Sequence, residues 1–389
     1  MAGTQQPGDP AGDDDGALMA ALMAPAGRID PHAAAREHPT TGCRYAVVDR
    51  VLRDPRTGAP VIGAPDVPLF DLLRRFMARL DGERHHAVRT RFARIFTPRK
   101  AAAFTGLIEH RASALVDAMT AQGRAADLVE AFARPLPFGV VADVMGIPPV
   151  DQPWMLRTLD GIMAAFAGQR DPDVVATGSA LVVEALDYFD RLLAERRAEP
   201  TDDLLGVLAA DPVAGEAHRD LLANCVFFLT AGHATTTALL AGGAAVLLEH
   251  PDVLAANAAD PSRWSPTVEE LVRYLSPITI TGVSVPEPVE VDGHRFAAGP
   301  NRLLVYAAAN RDPAVFPDPD RFDPDRDTTA HLGFSAGPHH CLGAPLARLH
   351  GTIGLRVLFA RLPTLEVVGA PVWRAGAPVR QLERLDVTW

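Results

Sequence analysis

Lysine and cysteine are scarce in this chain of 389 residues. Lys100 is the single lysine, and the formal net charge is −11, which argues against a general nucleic-acid binder. Cys43, Cys225 and Cys341 are too few and too widely spaced for a disulfide framework, so we expect a reducing compartment. No apolar run reaches the length of a membrane span, and the N-terminus lacks the basic-then-apolar pattern of a signal peptide. These absences predict a soluble, cytoplasmic protein.

Helical periodicity dominates the sequence. Residues 1–16 are rich in Gly, Pro, Gln and Asp without apolar periodicity, which predicts a disordered tail followed by a single domain over residues 17–389. Apolar residues recur at helical spacing over 107–119 and 180–197, and the longest apolar helical stretch, which we expect to be buried, covers 220–250.

Strand signals are few and short. Asp292-Gly293 between two short apolar runs predicts a β-hairpin. Residues 309–326 are dense in Pro and Asp, which predicts an irregular segment. The strand-like runs cover 44–48, 283–291 and 381–389. Together with the helical patterns, they predict a mainly α fold with small β-sheets.

The segment around Cys341 is the most informative part of the sequence. Phe334, Gly337, His339 and Gly343 accompany the cysteine at close, regular intervals. The glycines allow tight turns and let the backbone approach a flat macrocycle. A helix predicted to begin just after the cysteine would stabilise a sulfur anion with its N–H groups and its dipole. These features predict a loop that presents one thiolate to a haem iron.

Two other interpretations of this segment stay open. Most lone free cysteines are buried structural residues. A zinc site on His339, His340 and Cys341 is a third interpretation, but it needs more Cys or His ligands at short spacing than the neighbouring sequence offers.

The segment resembles the haem-binding signature of the cytochrome P-450 family and is complete at each of its defining positions. The resemblance implies a monooxygenase with haem b (heme b) ligated by Cys341. It also implies a single-domain fold shaped as a triangular prism, with the haem between a long central I helix and a proximal L helix. The chain has no flavin or nicotinamide fingerprint, so electrons must come from another protein, and the resemblance suggests a ferredoxin with its ferredoxin reductase.

The central apolar helix contains Ala231 and Gly232, followed by Ala234 and Thr235. Glycine and consecutive threonines are poor helix formers, and a local rule broken inside a core element points to function. The resemblance implies that Ala231 and Gly232 leave room over the haem and that Thr235 helps to deliver protons to dioxygen. Ala234 departs from the family, which usually has Asp or Glu there. The alternative is that the threonine hydroxyls only bond back to carbonyls one turn earlier.

Cationic side chains match the family's haem-propionate donors. His85 and Arg89 lie four residues apart on one predicted helix face, and an exposed basic face is the simpler interpretation of this pair taken alone. The resemblance assigns both residues, together with His339, to the haem propionates. Members of the family often have a further arginine that binds a propionate, and the corresponding residue here is Val283. We therefore expect other residues to bind one of the two propionates.

The resemblance also assigns Glu270, Arg273 and Arg321 to a buried ion triad that serves folding and haem retention. Glu270 and Arg273 share one predicted helix face, which by itself is a common surface pattern. A buried triad must be fully satisfied, so truncation of any member is expected to be severe.

The substrate is expected over the distal face of the haem. The predicted lining is mainly apolar, which favours a hydrophobic or aromatic substrate, although any core would look similar. It comprises Phe228, Ile278, Thr279 and Ile280, the stretch 228–231, and the stretches 61–76 and 156–167. A basic patch for the acidic electron carrier, or equally a set of ordinary solvated side chains, comprises Arg91, Arg94, Arg99 and Lys100.

These observations together predict a soluble bacterial enzyme that activates dioxygen and hydroxylates or otherwise tailors a hydrophobic or aromatic secondary metabolite, as in antibiotic biosynthesis. The assignment of that setting is analogy at the level of the fold. Ala234 motivates a second hypothesis of oxidative aromatic coupling, ring closure or nitration. A non-catalytic haem-thiolate sensor is the remote alternative.

Overall fold

The computed structural model describes residues 40–96, 100, 102–169, 171–374 and 378–389. The predicted tail at residues 1–16 lies outside the described residues, so the division between tail and domain stays a prediction. The described chain is mainly helical, as the sequence predicts. Its α-helices are α1 (Tyr45–Arg53), α2 (Pro68–Arg75), α3 (Gly82–Ala93), α4 (Thr105–Gln122), α5 (Pro135–Met145), α6 (Gln152–Ala167), α7 (Pro172–Ala198), α8 (Leu204–Ala209), α9 (Gly215–Leu248), α10 (Pro251–Ala259), α11 (Trp264–Leu275), α12 (Tyr306–Ala309) and α13 (Ala344–Arg361).

Helix α9 forms the centre of the fold. It packs against α5, α7, α11 and α13, and most of its side chains are buried, as its nearly all-round apolar sequence requires. Among the described residues, α9 is the one helix that is long and apolar enough to cross a membrane. Of its most apolar window, 72% is buried inside the protein, which is typical of a core helix.

The strands form small antiparallel sheets at the periphery. β9 lies between β1 and β6, and the pairs β2–β5, β3–β4 and β7–β8 are separate. Their bounds are β1 (Ala125–Asp127), β2 (Thr281–Val285), β3 (Val289–Val291), β4 (His294–Phe296), β5 (Gly299–Leu304), β6 (Glu366–Val367), β7 (Val372–Trp373), β8 (Leu382–Arg384) and β9 (Asp386–Thr388). The predicted hairpin is confirmed, since Val291 pairs with His294 and the two turn residues between them both have positive φ.

The strand predicted over 44–48 is wrong, because this stretch begins α1. Val47, Val48 and Val51 are fully buried at helical spacing, and the arginines lie on the opposite face. The β-branched valines suggested a strand, but tertiary packing of one helical face outweighs that preference. The irregular segment predicted over 309–326 is confirmed, apart from the end of the short helix α12.

Candidate active site

The loop before α13 holds Cys341 through its own backbone. The N–H of Cys341 donates to the carbonyl of Phe334 over 2.8 Å, and the N–H of His340 donates to the carbonyl of Gly337 over 3.1 Å. Gly337 has a φ of +66°, and a Cβ there would lie 2.2 Å from the carbonyl oxygen of Leu52. Only glycine satisfies both the positive φ and the close approach, which explains one of the two glycines of the motif.

The Cys341 thiol lies at the N-terminus of α13, as predicted. Protein surrounds it, although its own surface is exposed to a cavity described below. Burial raises the pKa of the Cys341 thiol, while hydrogen bonds from the N–H groups of Gly343 and Ala344 and the charges of Arg89 and Arg348 lower it. The surroundings therefore supply donors and positive charge for a sulfur anion, and an electropositive ligand at the sulfur would stabilise it further.

A cavity of about 820 Å³, partly open to solvent, separates the Cys341 loop from α9, and we call it the central cavity. On the side of α9 it is lined by Phe227, Phe228, Ala231, Gly232, Thr235 and Thr236. The opposite side includes His339, Cys341, Gly343, Leu346, Ala347 and His350, and the rim includes Met77, Phe96 and Val141.

The wall formed by α9 carries the predicted small residues and Thr235. A Cβ on Gly232 would lie 3.1 Å from the side chain of Val141, so the glycine also permits close packing of α5. The Thr235 hydroxyl donates to the carbonyl of Ala231 over 2.8 Å, and α9 runs through this region without interruption. The back-bonding alternative is thus observed, while Thr235 still faces the central cavity. Ala234 is half-buried and is not part of the cavity wall.

The predicted anion donors converge at one edge of the central cavity. The rings of His85 and His339 lie 4.3 Å apart, and the Arg89 guanidinium donates to the carbonyl of His340 over 2.6 Å. Burial, helped by the nearby charges of His339 and Arg89, lowers the pKa of His85 to about 4. His85 Nε2 is buried and has no hydrogen-bond partner among the described residues. The simpler interpretation of an exposed basic face is therefore wrong for His85.

Comparison with known proteins decides the family. The family model for cytochrome P-450 matches residues 265–362. Cytochrome P-450 monooxygenase PikC of Streptomyces venezuelae is 38% identical to this chain over 330 residues, which cover 82% of this chain and 76% of the relative. The chain belongs to the cytochrome P-450 family.

Other members of this family are also similar to the chain in sequence and structure. The 6-deoxyerythronolide B hydroxylase of Saccharopolyspora erythraea is 35% identical over 80% of this chain and 77% of its own. A crystal structure of a ligand-free cytochrome P-450 from Mycobacterium smegmatis has a TM-score of 0.82 and 31% identity, and it covers 96% of this chain and 99% of that chain. The predicted fold class is confirmed, and the chain is a bacterial cytochrome P-450 monooxygenase.

The family implies a thiolate-ligated haem iron, and the residues around the central cavity fit it. Cys341 presents its sulfur to the cavity, and His85 and Arg89 bring an unpartnered nitrogen and a positive charge to the same cavity, where they could hold the carboxylates of a haem. A Cβ on Gly343 would meet nothing closer than Cys341 Sγ at 4.0 Å, so the backbone there opens onto the cavity. Zinc gains no support, because the described ranges hold no group of three His, Cys, Asp or Glu residues able to bind a metal.

The buried cytochrome P-450 ion cluster differs from the prediction in one member. Arg273 and Glu270 are fully buried and joined by two hydrogen bonds of 2.7 Å. The Arg321 side chain is 71% exposed, and among the described residues its one ion pair is with Asp323, at 4.0 Å, so its assignment to the triad is wrong. Arg326 takes its place, with its guanidinium 3.4 Å from Glu270 and its side chain 8% exposed.

The irregular segment 316–326 contains two arginines, Arg321 and Arg326, five residues apart. Arg321 contributes its backbone carbonyl, which accepts from Arg273 and from Arg326. The irregular chain in between turns the Arg321 side chain outward and the Arg326 side chain inward. No local pattern in the sequence distinguishes the two.

Of the residues predicted to line the substrate pocket, the structure places Phe228 of α9 in the wall of the central cavity. Phe228 lines the central cavity and stacks on Phe92 and Phe96, at ring-centroid distances of 4.5 and 5.0 Å. The stretch Ile278, Thr279 and Ile280 is not in the cavity wall. The hydroxyl and N–H of Thr279 donate to the carbonyl of Pro378, and Ile280 packs in a small cluster with strand β5.

Met77, Val141 and His350 line the central cavity and were not predicted. Met77 is held by the side chain of Asn224, whose carbonyl oxygen accepts the Met77 N–H over 2.7 Å. Val141 belongs to α5, an apolar helix whose sequence does not show which of its buried residues face a cavity. The stretches 61–76 and 156–167 contribute no residue to the cavity wall.

The predicted basic patch is partly neutralised. Arg91 and Arg94 both pair with Asp211, at 2.9 and 3.5 Å. Arg99 lies outside the described residues, and Lys100 is exposed.

Proposed function

We propose that this chain binds haem b through Cys341 and hydroxylates a hydrophobic secondary metabolite with dioxygen and two externally supplied electrons. The observation that supports this most is the central cavity itself, whose mostly apolar lining includes both Cys341 and Thr235. One of the relatives is named for hydroxylating 6-deoxyerythronolide B. We further propose that the protein is soluble and cytoplasmic.

Each residue of the site has a defined part in this proposal. A haem with a thiolate ligand supplies the activation of dioxygen, since electron density from sulfur favours O–O cleavage. The N–H groups of Gly343 and Ala344 donate to the Cys341 sulfur and would support it as an anion once it binds the iron. His85 and Arg89 are placed to hold carboxylates of the cofactor, and His339 lies against His85. Phe228 presents an apolar face that excludes water from the substrate side.

Thr235 is the group that we assign to proton delivery. Its hydroxyl donates to the Ala231 carbonyl, so its oxygen lone pairs are free to accept a hydrogen bond from a donor in the cavity. Ala231 and Gly232 are small, so the cavity wall next to Thr235 has no large side chain at these two positions.

We propose that the electron donor is a ferredoxin, reduced by a ferredoxin reductase, and that it docks at a groove behind the Cys341 loop. The groove is lined by residues that include Arg53, Arg348 and Glu269, and Glu269 pairs with Arg348. Positive charges at the rim of an interface mainly accelerate association with an acidic partner. Arg53→Glu should therefore slow reduction by the ferredoxin several-fold at low salt, with Arg295→Glu on the exposed β4 hairpin as the control.

Ala234 favours a second candidate reaction within the same enzyme class. The usual carboxylate beside the threonine is missing, which suits oxidative aromatic coupling, ring closure or nitration if those reactions need fewer delivered protons. Ala234→Glu tests this, since it restores the acid. An unchanged product and rate would mean that the alanine has no mechanistic role, whereas a faster hydroxylation would support the simple monooxygenase.

An absorption titration of the ferric protein tests the substrate class. The panel contains aromatic, cyclic dipeptide, terpenoid and macrolide compounds, with 6-deoxyerythronolide B first. A substrate that fills the central cavity displaces water from iron and shifts the Soret band from the low-spin to the high-spin position. A shift confined to polar compounds, or a purified protein without a haem band, would contradict the proposal. A normal band that no compound shifts would indicate a larger or carrier-tethered substrate.

A further inference from the structure

Asn224 is fully buried in α9, one turn before the first residues that line the central cavity. Its side-chain oxygen accepts the Met77 N–H over 2.7 Å, and its side-chain N–H groups donate to the carbonyls of Arg75 and Asp220 over 2.8 and 2.7 Å. The side chain thus uses both its donors and its acceptor. Two of these bonds leave α9 and reach the end of α2 and the turn that follows it.

The turn that Asn224 binds has little hydrogen bonding of its own. It is a single 3₁₀ turn, Met77–Arg79, between α2 and α3. Arg75 is the last residue of α2, and the final carbonyls of a helix have no partner within that helix. Buried backbone groups need a partner, so the Asn224 side chain completes both the end of α2 and the start of the turn.

Asp220 holds the same segment at its two ends. It lies one turn before Asn224, and its side chain is 3% exposed. Its carboxylate accepts from the Arg75 guanidinium over 3.0 Å at one end and from the Arg84 guanidinium over 2.6 Å at the other. Two guanidinium groups compensate this buried carboxylate, so the ion pairs fix the ends of the segment to α9. We call Asp220 and Asn224 the α9 clamp.

The α9 clamp continues the helical face that lines the central cavity. Intervals of three or four residues, which place side chains along one side of a helix, separate Asp220, Asn224, Phe228, Ala231 and Thr235. The last three of these residues line the cavity. One continuous helix therefore carries both the Thr235 wall and the side chains that fix the turn after α2.

The turn after α2 contributes to the central cavity through Met77 and Ala78, which both line it. The preceding Phe76 packs on Phe227 of the cavity wall, with ring centroids 4.8 Å apart. The α9 clamp itself is not in the wall, so it acts on a bound molecule through these residues.

We propose that Asn224 is a positioning residue for the substrate. The α9 clamp keeps Met77 and Ala78 at a fixed distance from the Thr235 wall, and this fixed width decides how the substrate lies and which of its carbons is oxidised. A turn released from the clamp would let the substrate bind in several orientations. No bond is made or broken at Asn224 or Asp220. This inference rests on the proposed function, because it concerns the substrate of that reaction.

Asn257 provides a matched control. It is also a fully buried asparagine, but it lies on α10 and bonds to the Thr267 hydroxyl at 3.1 and 3.2 Å. It is absent from the wall of the central cavity. Asn257→Ser therefore measures the loss of a buried asparagine as such.

Asn224→Ser is the test variant. A serine hydroxyl in a helix can bond to the carbonyl one turn earlier, here that of Asp220, so α9 keeps its own polar groups satisfied. The serine is too short to reach Met77 or Arg75. Asp220→Asn, which keeps the volume of the side chain and removes its charge, loosens the other half of the clamp and serves if Asn224→Ser does not fold.

The first experiment is independent of turnover. In the haem-loaded protein, reduced and bound to carbon monoxide so that the iron is diamagnetic, the ¹³C-labelled methyl group of Met77 reports the position of the wall, and Met77→Leu assigns its resonance. We expect one narrow Met77 resonance in the wild type and in Asn257→Ser, and a shifted or broadened one in Asn224→Ser. An unchanged Met77 resonance in Asn224→Ser, or in Asp220→Asn if the first variant does not fold, overturns the clamp.

The second experiment measures binding and product identity with a substrate found by the titration above. In Asn224→Ser the Kd for substrate should rise about tenfold, as it would if about one molecule in ten kept the wall in place, because the apparent Kd is inversely proportional to the competent fraction. The main hydroxylated product should lose ground to its positional isomers. The Kd for imidazole, which binds iron and is too small to need Met77, should stay unchanged, and Asn257→Ser should match the wild type throughout.

The two experiments separate the inference from the proposed function. A moved Met77 resonance with an unchanged Kd for substrate and an unchanged isomer ratio overturns the role in positioning, and so does an equal weakening of imidazole binding. Failure of the wild type to bind any compound or to form product counts against the proposed function, while the Met77 resonance still decides whether the clamp exists.

Discussion

Replacing Arg326 with leucine should destabilise the protein, whereas the same change at Arg321 should not. Arg326 is almost fully buried and contacts Glu270, and its guanidinium also donates to the carbonyls of Pro317, Asp318 and Arg321. The Arg321 side chain is largely exposed, and its carbonyl survives any substitution of the side chain.

The expected loss in the free energy of unfolding depends on which charged groups each substitution leaves without a partner. Without Arg326, Glu270 keeps both hydrogen bonds to Arg273 and the N–H of Asp323 at 3.0 Å, so its charge stays compensated. The loss is then about 2 kcal/mol, typical of hydrogen bonds to a charged group. Glu270→Gln leaves two guanidinium groups without a counter-charge and should cost about 3–5 kcal/mol. Arg321→Leu should stay within about 0.5 kcal/mol of the wild type, as exposed substitutions usually do.

Urea unfolding of the haem-loaded protein, followed by far-UV circular dichroism and by the Soret band, gives the order of the three midpoints. We expect Glu270→Gln to unfold first, then Arg326→Leu, with Arg321→Leu close to the wild type. Equal midpoints for the two leucine variants, or a lower midpoint for Arg321→Leu, would refute the assignment of Arg326 to the buried cluster.

Three further predictions address the loop and its supports. Cys341→Ser should abolish the red-shifted Soret band of the reduced carbon monoxide complex, which needs a thiolate ligand. Gly337→Ala should lower the yield of haem-loaded protein, because its Cβ would lie 2.2 Å from the Leu52 carbonyl; a normal yield would contradict this geometry. Burial raises the pKa of Glu269, but hydrogen bonds from His331 and Arg348 outweigh it and lower the pKa to about 2. The ionised Glu269 therefore stabilises the fold above about pH 4.5, and this contribution is lost as pH falls toward 2. The free energy of unfolding of Glu269→Gln should depend less on pH in that window, by up to about 3 kcal/mol, than that of the wild type.

Much of the site was predictable because its chemistry is local in sequence. The residues from Phe334 to Gly343 form one loop, and their backbone hydrogen bonds close within that loop. The spacing of His85 and Arg89 likewise places both on one side of α3, where the structure brings them to the central cavity.

Tertiary structure decided the features that depend on distant segments. The choice between Arg321 and Arg326 depends on the path of an irregular segment past α11, and the wall of the central cavity combines α5, α9 and α13. Val141 and His350 carry no local signal, since apolar periodicity reports that a residue is buried but not which neighbour it meets. The sequence by itself determined the loop around Cys341, the helical class and the central helix, because these depend on residues within a few turns of one another. Only packing determined which buried side chains face the cavity, because that depends on how helices far apart in the chain meet.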